Sequence, residues 1–279
     1  MQMKTVYHKL GMFLAAMLLV VSCGGSSGDL VGLGDLIPDY TSSKLLKKVT
    51  VTETGLPSYD VNFGYAANKL STVTTTNNSY AYEVLYSGNQ ISKITRTDAQ
   101  GAQPQVLTAM LTYTGALLTA VNGTIADGGT VTADFTTDYS YNAAKAVQVK
   151  TTFFTPGTTV ETGSVTSQLQ YAGDNISKWI MTIAAPGVAD IVVNTDFSDY
   201  DNSQNPYRLL PRSFTLATCN FETSGTGPTG LSANNYRNVT VQSAAGTLSQ
   251  IFTHTYDAKG FLSKSSTADV SFDFEYQSL

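Results

Sequence analysis

From about residue 44 onward, apolar and polar positions alternate with a period of two, as in Tyr80-Ala81-Tyr82-Glu83-Val84-Leu85-Tyr86. That is the pattern of strands with one buried face. The alternating runs are short and are separated by Gly, Asn, Asp and Pro, which form turns. Between them the chain is rich in Thr, Ser and Val, which suit strands. No stretch after the N-terminal region keeps a helical period, and the Gly, Thr and Asn density works against helices.

The alternation repeats as a unit, Tyr-x4-apolar-x2-apolar. Copies are Tyr65…Leu70…Val73, Tyr86…Ile91…Ile94, Tyr113…Leu118…Val121 and Tyr171…Ile176…Trp179, with weaker ones at Tyr141…Ala146…Val149 and Tyr256…Phe261…Lys264. Tyrosine spacings of 21, 27, 28 and 30 give a period near 28, and Tyr200, 29 residues after Tyr171, marks a diverged unit before Tyr256. A period of this length is one supersecondary unit repeated. Each unit reads as a β-hairpin whose turn follows the tyrosine. The two apolar positions after the turn are three apart, whereas strand parity is two, so either a β-bulge intervenes or they serve opposite faces. The expected fold is all-β: six or seven hairpins side by side in a long, curved antiparallel sheet that wraps to bury a face, with no sizeable helix.

The N-terminus follows a different rule. Lys4 and Lys9 precede a run of about a dozen mostly apolar residues, Leu10 to Val21, too short to span a bilayer and suited to a secretory signal. It ends in Val20-Val21-Ser22-Cys23 and resembles a bacterial lipoprotein signal peptide. The resemblance implies cleavage before Cys23, lipidation of that residue and an outer-membrane location, with the periplasmic or cell-surface side left open. The expected organisation is a signal peptide at 1–22, a lipidated Cys23 with a Gly/Ser-rich tether to 43, and a single repeat domain at 44–279. Within the latter, Tyr256-Asp257-Ala258-Lys259-Gly260-Phe261-Leu262 is similar to the Tyr-Asp-x-x-Gly-x-Leu unit of YD-repeat, Rhs-like proteins. Segments such as Asp199-Tyr200-Asp201-Asn202 and Phe272-Asp273-Phe274-Glu275-Tyr276 look like parts of Bacteroidetes-type lipoproteins with YD-like hairpins. The resemblance implies a β-sheet shell and carries over no catalytic residue.

Composition narrows the chemistry. From Cys23 onward there are fourteen basic and twenty-one acidic side chains, and such an acidic surface disfavours nucleic acid as a partner. His254 is then the one histidine and Cys219 the one remaining thiol, too few for a His/Cys metal site; no cofactor is expected. Gly24-x-Ser26-x-Gly28 falls in the tether, and Gly225-x-Gly227-x-x-Gly230 contains Pro228, which lacks a phosphate-binding N–H; neither reads as a site. Asp199-x-Asp201-x-Ser203-x-Asn205 spaces oxygens like half a calcium loop, or like an Asx-rich turn. Asp196, Asp199 and Asp201, or Asp269, Asp273 and Glu275, supply carboxylates for a two-carboxylate glycosidase, or guard strand edges. Tyr80, Tyr82, Tyr86 and Trp179 would suit stacking on sugars, or hold the sheet together from within. The functional expectation is therefore a membrane-anchored binding or scaffolding lipoprotein without enzymatic activity. A glycan is its most concrete partner, and an envelope protein the alternative.

Overall fold

The computed structural model describes residues 44–99, 103–221 and 227–279. The expected signal segment at 1–22, Cys23 and the expected tether to 43 lie outside them. The strands are β1 (Lys44–Glu53), β2 (Tyr59–Ala66), β3 (Lys69–Thr75), β4 (Tyr80–Ser87), β5 (Gln90–Asp98) and β6 (Gln105–Thr114). Next come β7 (Leu117–Asp127), β8 (Thr130–Asn142), β9 (Lys145–Phe154), β10 (Glu161–Ala172), β11 (Asn175–Ala184) and β12 (Ile191–Tyr200). An insertion holding one helix, α1 (Arg212–Thr218), precedes β13 (Tyr236–Ser243), β14 (Gly246–Ile251), β15 (Thr253–Tyr256), β16 (Leu262–Ser266) and β17 (Val270–Ser278).

All the strands belong to one antiparallel sheet, paired consecutively from β1 to β14 and again from β15 to β17. β14 and β15 are halves of one strand bent at Phe252, whose N–H donates to the Arg237 carbonyl at 2.7 Å. The first half pairs with β13 and the second with β16. Because β1 pairs with both β2 and β17, the sheet returns to its start as a nearly closed barrel, the wrapping that the repeat led us to expect.

The repeat motif owes its odd spacing to a bulge. The register slips once in each repeat hairpin, between the tyrosine and the residue before it: at Tyr65, Tyr86, Tyr113, Tyr141, Tyr171 and Tyr256. The extra residue on the returning strand is Ser71, Ser92, Thr119, Val147, Ser177 and Ser263 respectively. Four of these hydroxyls donate back across the bulge, Ser71 to Gly64 O (3.1 Å), Ser92 to Leu85 O (3.3 Å), Thr119 to Thr112 O (3.1 Å) and Ser177 to Gln170 O (3.3 Å). One inserted residue restores parity, so both apolar positions face inward and are buried: Leu70 with Val73, Ile91 with Ile94, Leu118 with Val121, Ile176 with Trp179. The last copy differs from its sequence alignment. Its turn is one residue longer, so Tyr256 pairs with Leu262, and Leu262 rather than Phe261 fills the core.

In four units a tyrosine also ties its hairpin to the one before. Tyr65 Oη donates to Leu46 O (2.8 Å), Tyr141 to Leu118 O (2.7 Å), Tyr276 to Leu262 O (2.8 Å) and Tyr200 to Ile176 O. Each acceptor is the first apolar residue of the preceding bulge. The turns are laced along the rim by the residue four after the tyrosine: Lys69 Nζ donates to Gly88 O (2.7 Å), Gln90 Nε2 to Gly115 O (2.8 Å) and Lys145 Nζ to Gly173 O (2.6 Å). These turns form one end of the barrel, here the turn rim.

One hairpin is divided between the chain ends. Tyr276 of β17 pairs with Leu46 of β1, Glu275 pairs with Lys48, and Lys47 is the bulged residue. Leu46 and Val49 thus stand where Leu70 and Val73 stand in the next unit, and both are buried. The barrel closes by completing this unit from its two termini.

Inside and outside have opposite character. The inner face is lined mainly by one apolar cluster, with Tyr82, Phe135, Phe214, Phe252 and Phe272 all but inaccessible, and buries a smaller set of polar side chains, Arg96, Thr151, Ser167 and Asn220 among them. Gly123 makes room for Phe135, since a Cβ there would come within 2.5 Å of that ring and 2.0 Å of Thr108 O. The outer face carries cross-strand ion pairs at Lys178–Asp196 (3.0 Å), Lys264–Asp273 (3.2 Å) and Lys48–Glu275 (2.6 Å). A barrel that spans lipid has the reverse arrangement, apolar outside and polar within.

Candidate functional site: the plugged lumen

The insertion between Tyr200 and Tyr236 replaces the turn of the diverged hairpin and folds into the barrel. Its base is set by Asp201. One oxygen accepts the N–H of Ser203 (3.0 Å) and of Asn235 (3.2 Å), and the other accepts from the Asn235 amide and the Tyr256 hydroxyl. Asn205 acts as a second clasp: its amide donates to Thr229 O and Ser232 O (both 2.9 Å), and its oxygen accepts from Tyr207 N (2.9 Å). Pro211 sits at the N-cap of α1, and the helix buries six of its seven residues from Ser213 to Thr218.

The tip of the plug ties several walls together. Phe214 packs edge-on to Tyr82 with centroids 5.4 Å apart, and Phe221 lies 4.9 Å from Phe135 and 6.1 Å from Phe153. Asn220 Nδ2 donates to Thr151 Oγ1 (3.0 Å) and Val165 O (3.1 Å), while its oxygen accepts from Ser167 Oγ (2.7 Å), which in turn accepts from Trp179 Nε1 (2.9 Å). Arg96, a buried cation, donates to Asp98 (2.8 Å), to Tyr82 Oη (3.3 Å) and to the Phe221 carbonyl. Burial pushes the Tyr171 phenol up to about 12, with nearby Arg212 opposing, and raises Tyr139 well above its usual range. Hydroxyls in this setting are poor nucleophiles, and that of Tyr139 donates to the Leu216 carbonyl (3.3 Å).

The residues singled out in the sequence fall as follows. Tyr80, Tyr82 and Trp179 are 7%, 2% and 8% exposed, which corrects the expectation of an open stacking face: they are core, held by the plug. Tyr86 is half-buried at the turn rim beneath Lys69, whose amine lies 5.3 Å from the ring centroid. Asp201 is engaged on both oxygens, so the half calcium loop is an Asx-type turn that anchors the plug, and no group of three or more potential ligands occurs among the described residues. Asp199 is an exposed residue in a left-handed conformation (φ 56°) at the entry to the insertion. Asp196, Asp273 and Glu275 are committed to the outer ion pairs, and Asp269 sits in the β16–β17 turn. Cys219 is buried and outside any disulfide, as its isolation suggested, and its thiol faces Asn220 Oδ1 at 3.6 Å.

His254 proves structural. A carbonyl can only accept, so the 3.2 Å contact with Tyr236 O fixes the proton on Nε2. Burial lowers its pKa, outweighing the Tyr236 carbonyl and Asp201, which favour the cation. A folded-state value below the unfolded 6.5 means the unfolded chain binds the proton more tightly. The contribution of His254 to stability is therefore constant well above pH 6.5 and falls as the pH drops below it. Thermal midpoints measured from pH 7 down to 5 should show this fall, and His254→Gln should flatten it; the carboxylates at Asp174 and Asp257, both shifted downward, act below that window.

No protein-family model and no curated protein matches the chain. Among solved structures it is similar to a porin-like protein from Bacteroides vulgatus ATCC 8482, with 12% identity and a TM-score of 0.50, over 85% of this chain and 100% of that one. A porin-like protein from Bacteroides uniformis ATCC 8492 aligns over 83% of this chain and 96% of its own at 11% identity and a TM-score of 0.46. At these identities the likeness to the first shows a shared fold, a single-sheet antiparallel barrel.

Proposed function

We propose that this chain is an outer-membrane lipoprotein whose barrel stands on the membrane as a binding or scaffolding module instead of crossing it as a channel. One observation carries the reading: the lumen is filled by a mainly apolar core and the plug residues 201–221 and 227–235, while the outer wall carries paired charges, the inverse of a pore in lipid. The porin-like name of the similar Bacteroides vulgatus structure supports an envelope setting, and the Cys23 signal supports attachment by lipid. With Tyr80, Tyr82 and Trp179 in the core, the scaffolding alternative gains over glycan capture. We further propose no catalytic role, since the carboxylates of the candidate pairs serve ion pairs and the plug.

The test has two arms. In cells, a labelled fatty acid should be incorporated into the chain and lost in Cys23→Ser, with the variant released from the membrane fraction. In planar bilayers the purified protein should give no conductance steps. Stepwise conductance in the unmodified protein would overturn the scaffold reading, and labelling that persists in Cys23→Ser would overturn the anchor.

A further inference from the structure

The two ends of the barrel carry opposite charge. At the turn rim and the base of the plug lie Lys44, Lys69, Lys145, Arg208, Arg212 and Lys259, against Asp174, Asp199, Asp201 and Asp257. Two of the cations are matched, Lys44 by Asp257 and Lys145 by Asp174, each at 2.8 Å. Lys69 and Arg212 instead donate to neutral groups, Lys69 to Gly88 O and Asn89 Oδ1 and Arg212 to Ala144 O, so their charge stays uncompensated. Lys259 is exposed on its turn. The opposite end holds Glu53, Asp98, Asp127, Glu161, Asp190 and Asp269, with Arg96 as a buried counter-charge. Of these named residues the rim thus carries six cations against four carboxylates and the opposite end six carboxylates against one buried cation, in a chain that is acidic overall.

That rim is also where the tether joins. Lys44, the first described residue, is bonded to Asp257 in the turn after Tyr256. We propose that the turn rim is a docking face for an anionic phospholipid surface, holding the barrel axis upright over the anchor with the acidic end outward. Lipid phosphates are the occupant that charge and tether position both select: the rim faces whatever the anchor is embedded in, and each cation near such a surface adds attraction. This deepens the anchored-lipoprotein reading and rests on it for orientation, but the binding itself needs no acyl chain.

The experiment uses the chain beginning at position 23 with Cys23→Ser, so that its outcome is independent of lipidation. Co-sedimentation is measured with phosphatidylcholine vesicles and with phosphatidylcholine containing about one-third phosphatidylglycerol. Binding should be at least about tenfold stronger to the anionic vesicles, and should vanish as salt rises from about 0.1 M to about 1 M and the screening length shrinks from about 10 Å to about 3 Å. Lys69→Gln, Arg208→Gln and Lys259→Gln combined should abolish the preference. Gln90 already laces its turn as Lys69 does, so glutamine is compatible with the rim; unchanged circular dichroism would confirm the fold. Lys93→Gln, Lys150→Gln and Lys264→Gln on the barrel wall should leave binding intact. Equal binding to both vesicle types, no binding, persistence in high salt, or equal loss from rim and wall variants would overturn the proposal.

Discussion

Phe214→Ala should lower the free energy of unfolding by about 3–5 kcal/mol, the usual cost of emptying a buried aromatic site. Phe214 is 2% exposed and sits edge-on to Tyr82 inside the lumen, where the walls are already paired into a sheet and have little freedom to collapse into the space. For a chain of this size each kcal/mol corresponds to about 2–4 °C, so the thermal midpoint should fall by about 6–20 °C. Urea unfolding followed by tryptophan fluorescence checks the result directly, because Trp179 reaches the plug through Ser167 and Asn220. A loss under about 1 kcal/mol would mean that the insertion is a loosely held lid and that the barrel supports its own core.

The extent to which this architecture could be read from the chain depends on the range of each signal. Alternation and turn chemistry act within a dozen residues, and they disclosed the hairpins and their period. The bulge was visible as a conflict, two apolar residues three apart in a strand, and the Ser or Thr between them was the unused clue: Ser71, Ser92, Thr119 and Ser177 all occupy the inserted position. The last copy slipped by one residue because Gly260-Phe261 lengthens its turn, a change that the Tyr-x4 spacing cannot register. The aromatic residues were misplaced for a different reason. Tyr80 and Tyr82 alternate with Glu83 onto the same face as Val84, and a face shared with buried valine in a closing sheet is the inner one. The plug was not legible at all. Its helix has seven residues, its polar side chains satisfy backbone groups far away in sequence, and Asn220 reaches Thr151 and Ser167 only once the barrel has formed.

The divided hairpin was the least legible feature and sets the second large effect. Leu46-x2-Val49 has no tyrosine at the Tyr-x4 position before it, where Thr41 stands, and Tyr276 has no apolar pair after it; joined, they make one complete unit. Removing residues 44–53 should abolish cooperative folding. Leu45, Leu46, Val49 and Val51 are each at most 4% exposed, and at about 1.5–3 kcal/mol per buried side chain their loss amounts to about 6–12 kcal/mol. That is comparable with the entire stability of a typical domain, about 5–15 kcal/mol, before the orphaned edges of β2 and β17 are counted. A circular permutant makes the opposite prediction from the same geometry. Ser278 pairs with Lys44, so a short Gly-containing turn can link position 279 to position 44, with new ends opened at Gly88-Asn89. It should unfold cooperatively with near-normal stability, because every unit but one keeps its covalent turn and the opened turn is exposed. A permutant that stays molten in near-ultraviolet circular dichroism, or a truncated chain that still unfolds cooperatively, would show that β1 is an accessory strand and not the missing half of the repeat.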